Sequence, residues 1–140
     1  MVRRATCCCG ACFIEVEGEP VLNGVCHCDN CRQRTGSAFG WSTYFPDQQV
    51  VQRDGKFGEY VIDNVVTQTR YFCSACGTTL YWKRSTRPTQ IGIAGGCFTR
   101  ADAPLPSITV CDDNRSEWVA LPREWRVSSG TIPPGLVHKA

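Results

Sequence analysis

Eleven cysteines in 140 residues constrain this chain more than anything else in it. That density belongs to a disulfide scaffold or to a metal protein. An odd number cannot pair completely. The first cysteine cluster begins at Cys7, before any apolar run that could serve as a secretory signal. Arg3-Arg4 lacks the hydrophobic segment of a twin-arginine export signal, and no stretch approaches the ~20 apolar residues of a membrane span. The expectation is a reduced, cytoplasmic protein, without a membrane partner, whose thiols bind metal.

The cysteines fall largely into three clusters: Cys7-Cys8-Cys9-Gly10-Ala11-Cys12, Cys26-His27-Cys28-Asp29-Asn30-Cys31 and Cys73-Ser74-Ala75-Cys76-Gly77. In the third, two thiols separated by two residues follow a strand-like run, and glycine precedes the next run. That pattern is a metal knuckle on a hairpin, because the turn aims both sulfurs at one point and glycine accepts the backbone twist. A redox dithiol shares the spacing but normally opens a helix in a βαβ unit. Two sulfurs are half a tetrahedron, so a second pair must come from the first cluster. Cys7 and Cys9 project to one side of an extended segment, whereas Cys9 with Cys12 would form a second knuckle. Parity favours Cys7 and Cys9, since Cys12 shares a strand face with Ile14 and Val16 and suits a small buried hydrophobe. Cys8 projects the opposite way, as a bystander. A structural Zn²⁺ on Cys7, Cys9, Cys73 and Cys76 is expected.

The middle cluster differs in kind. Cys26, Cys28 and Cys31 form a tripod with no second knuckle placed to close it. Three protein ligands leave a fourth position open, the mark of a catalytic site. His27 faces away from its neighbours in an extended segment. Cys97 or Cys111 could instead fold back as a fourth ligand and make this site structural too. Arg32 and Arg34, just beyond the tripod, are candidate clamps for a substrate carboxylate.

Composition bears on the partner. The formal charge is +2, but seven thiolates against two Zn²⁺ subtract three charges and leave about −1, which removes most of the case for nucleic acid. The basic residues are 12 Arg against 3 Lys, a bias toward the fork that grips carboxylates and phosphates.

No window of ten residues carries helical periodicity between two caps. Short strand-like runs recur instead, over 12–17, 21–25, 39–45, 49–53, 65–72, 78–82, 90–94 and 108–111, punctuated by Gly and Pro. They predict one mainly β, antiparallel domain over 1–140, with a helical turn over 32–37 and a loosely attached tail over 128–140.

The segments Cys26-His27-Cys28-Asp29-Asn30-Cys31-Arg32-Gln33-Arg34-Thr35-Gly36-Ser37-Ala38-Phe39 and Phe72-Cys73-Ser74-Ala75-Cys76-Gly77-Thr78-Thr79-Leu80-Tyr81-Trp82 resemble the two signature segments of the glutathione-dependent formaldehyde-activating enzyme (GFA) family, also called the centromere-protein-V domain family. Cys7-Cys8-Cys9-Gly10-Ala11 is similar to its opening motif, and the region of Trp118 to Pro122 to its closing one. The resemblance implies an Mss4-like, zinc-pinned antiparallel β-sheet domain. It implies two Zn²⁺ per chain, one structural on Cys7, Cys9, Cys73 and Cys76, and one catalytic and more labile on Cys26, Cys28 and Cys31. It also implies a carbon–sulfur lyase that adds a thiol such as glutathione to formaldehyde or a related small electrophile. The alternative is a non-enzymatic Mss4-like zinc module; a reductase using Cys97 or Cys111 as a redox thiol is a third reading.

Overall fold

Apolar residues at every second position give strands with one face to bury, and the turn residues between them set where each ends. The computed structural model describes residues 1–63 and 66–129. In chain order it contains β1 (Val2–Thr6), β2 (Phe13–Glu17), β3 (Leu22–Cys26), α1 (Asp29–Thr35), β4 (Gly40–Pro46), β5 (Val50–Asp54), β6 (Phe57–Ile62), β7 (Gln68–Cys73), β8 (Thr79–Arg84), β9 (Arg87–Ala94), β10 (Ile108–Val110) and β11 (Arg126–Ser128).

The strands make two sheets. A small one runs β1-β2-β5, and a large one runs β11-β10-β3-β4-β9-β8-β7-β6. Alternation on β2 turns Ile14 and Val16 inward, where they meet Ala5 of β1, Phe45 of β4, Leu80 of β8 and Ile91 and Ile93 of β9. Each large side chain fully buried there contributes roughly 1.5–3 kcal/mol. Cys7, Cys12 and Cys73 belong to the same core, so the thiol clusters grow out of it. The fold is mainly β and Mss4-like in type, as the resemblance implies.

Two features of the pairing differ from expectation. The large sheet is mixed rather than antiparallel, because β10 runs parallel to both β3 and β11. Pairing direction depends on how the chain returns from a distance, and no local pattern records it. The close approach of β10 uses Gly24, opposite Ile108, where a Cβ would lie 2.4 Å from the Ile108 carbonyl oxygen. Secondly, Ser128, assigned to a loose tail, pairs with Val110 as the last residue of β11. The rest of that expected tail, from 130 onward, lies outside the described residues.

Strands β1 and β6 carry no clean alternation in sequence, yet both form. Their backbone groups are satisfied by β2 and β7, and tertiary pairing overrides weak local preference. The helix begins at Asp29, three residues earlier than the expected turn. Cys28 caps it, its sulfur accepting the backbone N–H of Cys31 at 3.3 Å. Gly36, at φ 63°, closes the other end in the left-handed conformation, its N–H bonded to the Arg32 carbonyl.

Candidate metal centres and their cavity

The first cluster is built from two similar turns. At the N-terminal one, Gly10 adopts φ 81° and its N–H donates to the Cys7 carbonyl at 3.1 Å; at the other, Gly77 adopts φ 78° and donates to the Cys73 carbonyl at 2.8 Å. Thr78 ties the two together. Its hydroxyl oxygen accepts the Cys8 backbone N–H at 3.2 Å and lies 3.2 Å from the Cys76 sulfur. The sulfurs of Cys7, Cys9, Cys73 and Cys76 all lie within 4.8 Å of one another. Cys7 to Cys9 is 3.6 Å and Cys9 to Cys73 is 3.8 Å. A tetrahedron of thiolates at ~2.3 Å from Zn²⁺ has edges of about 3.8 Å, so this donor set fits the ion.

Electrostatics at this cluster are uneven. The hydroxyl and backbone N–H of Thr78 pull the Cys76 thiol down to about 5. Cys9, despite the Ala11 N–H that favours its thiolate, is pushed up to about 11 by sharing hydrogen bonds with Cys7 and Cys76. Four thiols this close cannot all ionise without a cation among them.

Cys12 stands apart. It is wholly buried in the core, its sulfur 3.4 Å from the Lys56 carbonyl, and burial pushes its thiol up to about 12. Cys8 is exposed. Neither belongs to the group of four.

The second cluster sits where β3 ends and α1 begins. Cys26 closes the strand, Cys28 caps the helix and Cys31 lies in its first turn, and their three sulfurs lie within 4.8 Å of one another. Crowding raises all three thiols. Cys26 is pushed up to about 12, chiefly by its hydrogen bond with Cys28. Cys31 is pushed up to about 11, chiefly by Cys26. The donor set is soft and compact, which suits Zn²⁺.

His27 takes no part in that group. It is fully buried, and its Nε2 lies 2.9 Å from the Thr109 hydroxyl, which donates to Asp112 at 2.8 Å. A hydroxyl that gives its proton to a carboxylate must accept from the ring, so Nε2 carries the hydrogen. Burial holds the imidazole below its ordinary pKa, despite the pull of Asp112. His27 thereby joins the tripod segment to β10. Cys97 and Cys111 are also outside both groups. Cys111, with the left-handed φ of 52°, lines the cavity beside the tripod; Cys97 packs against the core near Tyr44 and Trp82.

That cavity has a volume of about 370 Å³ and lies against Cys26, Cys28 and Cys31. Leu22, Val25, Tyr44, Trp82 and Ile108 give it apolar walls. The two arginines expected beside the tripod separate here. Arg34, one helical turn beyond Cys31, reaches the cavity. Arg32 does not line it; it pairs with Asp29 at 3.5 Å on the exposed face of α1. Sequence reasoning missed Arg84 and Arg87, which line the cavity from β8 and β9, and Asn30 and Gln68. Asn30 and Gln68 accept hydrogen bonds from the buried Arg70. Only the Arg-rich composition hinted at any of these.

Within the described residues, none of the eleven cysteines is in a disulfide, and no helix is long and apolar enough to cross a membrane. The fold and its two thiol groups thus define a β protein with two cysteine clusters, each able to hold a metal ion. Residues 2–113 match the family described as glutathione-dependent formaldehyde-activating enzyme, and the chain belongs to that family. No curated protein matches it. The crystal structure of a Rhodobacter sphaeroides protein from structural genomics is similar with a TM-score of 0.55 at 20% identity, covering 74% of this chain and 96% of that one. At that identity the likeness concerns the fold.

Proposed function

We propose that this chain is a cytoplasmic, zinc-dependent carbon–sulfur lyase that adds a thiol such as glutathione to formaldehyde or a related small electrophile. The observation that carries the reading is the tripod of Cys26, Cys28 and Cys31 opening onto a 370 Å³ cavity with no fourth thiol in its group. Cys7, Cys9, Cys73 and Cys76 would hold a structural Zn²⁺, and the tripod a catalytic one. Zn²⁺ bound there supplies Lewis acidity, lowering the pKa of a thiol or polarising a carbonyl oxygen.

The chain's own residues supply the rest. Tyr44, Trp82 and Ile108 displace water from the space beside the tripod, which strengthens every electrostatic contact made there. The Cys28 cap and the Gly36 stop fix α1, so Cys31 and Arg34 keep their positions relative to Cys26. His27, bonded to Thr109, anchors the main chain between two ligands. The reaction is redox-neutral: a C–S bond forms, the carbonyl π pair moves to oxygen, and that oxygen takes up the proton the thiol gives up.

The test is the rate of S-(hydroxymethyl)glutathione formation from ¹³C-formaldehyde, followed by NMR exchange. The zinc-loaded protein should exceed the uncatalysed rate. Cys28→Ser should fall to that rate while keeping one zinc and a cooperative melting transition. A Cys28→Ser protein as active as the parent would eliminate the enzymatic reading in favour of a non-catalytic zinc module.

A further inference from the structure

Strand β7 turns Gln68 and Arg70 to one face, and both are buried there. Among the described residues two arginines are buried, Arg3 and Arg70, and their surroundings differ. Arg3 pairs with the Glu19 carboxylate and also donates to the carbonyls of Gly18 and Asp102. Arg70 has no carboxylate partner among the described residues. Its hydrogen bonds go to neutral amides: Nη2 donates to Oδ1 of Asn30, and Nε donates to Oε1 of Gln68 at 3.4 Å. The ring of Tyr60, opposite it on β6, has its centre 5.9 Å from the guanidinium carbon. A positive charge taken out of water needs a negative complement, because desolvation penalises the charged form.

That complement lies on the helix Arg70 grips. Asn30 stands between Cys28 and Cys31 in the sequence, and its Nδ2 donates to Oε1 of Gln68 at 3.3 Å. The first turn of α1 is thereby tied to β7. Burial and the charge of Arg34 work against the Arg70 guanidinium, whereas charge on Cys31, Tyr60 and Cys28 favours it. A tyrosine phenol is neutral near pH 7, so the thiols remain. Three thiolates around one dication carry −1, equal and opposite to the charge of Arg70.

Position separates Arg70 from the other arginines near the tripod. Arg34, Arg84 and Arg87 line the cavity, as do Asn30 and Gln68, but Arg70 does not. Its charge therefore stays with the thiols whatever enters the cavity. An apolar side chain would fill a buried strand position at lower cost. A guanidinium belongs where the charge itself is used.

We propose that Arg70 is a positioning residue of the tripod, the buried counter-charge to its three thiolates, acting through Asn30 on the helical turn that carries Cys31 and is capped by Cys28. The proposal rests on the reading that the tripod holds Zn²⁺, and it names what the chain supplies behind that ion.

The test reads zinc affinity rather than turnover, so a failure of the lyase reading alone would leave it intact. Protein loaded with two Zn²⁺ per chain is titrated with a chromogenic chelator while circular dichroism follows strand content. Arg70→Gln removes the charge and keeps a donor amide. It should release its first zinc at a chelator concentration about 10–100-fold lower than the parent, the range for groups just outside a metal's own ligands. Its second zinc and its strand content should match the parent. Arg70→Lys restores the charge and should recover most of the affinity. Asn30→Asp, nearly the same shape, places a carboxylate on Arg70 and consumes its charge, so it should weaken the first zinc as Arg70→Gln does. A merely structural role predicts the reverse for Asn30→Asp: a new ion pair, a higher melting temperature and unchanged zinc release. That result would overturn the proposal. So would parental zinc release in Arg70→Gln, equal weakening in the lysine and glutamine variants, or loss of both metals with the strands in Arg70→Gln. If the parent bound only one zinc per chain, the metal reading of the tripod would fail, and this proposal with it.

Discussion

Single side chains decide which thiols can serve as ligands. Cys76 lies in the group of four, and Thr78 holds its thiol low; Cys12, five residues from Cys7, is sealed in the core. Structural zinc in small domains is worth about 10–16 kcal/mol, which equals or exceeds the 5–15 kcal/mol by which most domains are stable. Cys76→Ser should therefore yield protein that is insoluble or melts far lower, with one zinc fewer by metal analysis. An unchanged melting temperature with two zincs would remove Cys76 from the site. Cys12→Ser makes the opposite case. Its hydroxyl can still reach the Lys56 carbonyl, so zinc content should stay at two per chain and stability should fall by only about 1 kcal/mol, measured by denaturant titration.

Elements position the tripod. Strand β3 delivers Cys26, α1 delivers Cys31, and the parallel strand β10 buttresses both through Thr109 and His27. The β3–β10 contact depends on Gly24, where a side chain would meet the backbone of Ile108. Backbone cannot swing away as a flexible side chain can. Gly24→Ala should cost about 1–3 kcal/mol, the range for overpacking a close contact. Hydrogen exchange should quicken at the His27 amide, which donates to the Val110 carbonyl at 3.1 Å. Protection at His27 equal to that of the parent would show that β10 is held by other means. Gly36 is a contrasting case: a Cβ there meets nothing within 4 Å, so Gly36→Ala should cost only the left-handed backbone penalty of about 1–2 kcal/mol.

At the scale of the molecule, the two clusters differ in what they tie together. The first joins Cys9 to Cys73 across 64 positions of sequence and sits in the main core. The second draws all three thiols from one stretch of six residues beside an open cavity. A chelator should therefore remove metal in two stages. The tripod should empty first, with strand content and a cooperative melting transition retained. The four-thiol site should empty only with loss of the fold. Circular dichroism alongside metal release would follow both, and simultaneous loss of both metals with unfolding would contradict the difference in anchoring.

Much of this was legible in the residues themselves. Cysteine spacing marked both thiol groups, because ligand geometry is local: a knuckle needs its two sulfurs and its glycine within a few positions. Alternation marked β2 for the same reason, while β3 and β4 were legible only as short strand-like runs between turn residues. Arg32 and Arg34 were indistinguishable in sequence, since what separates them is which face of α1 looks inward. That is set by the packing of Asn30 against Gln68 and Arg70 from β7. Arg84 and Arg87, far along the chain, carried no signal of a site. Chain folding alone placed them in the cavity that Cys31 lines, through the order β4-β9-β8 in the sheet. The sequence by itself therefore determined which atoms could bind metal, a matter of short-range stereochemistry. Only the tertiary structure decided what surrounds those thiols, because a cavity wall is assembled from strands whose neighbours are chosen by long-range pairing and burial.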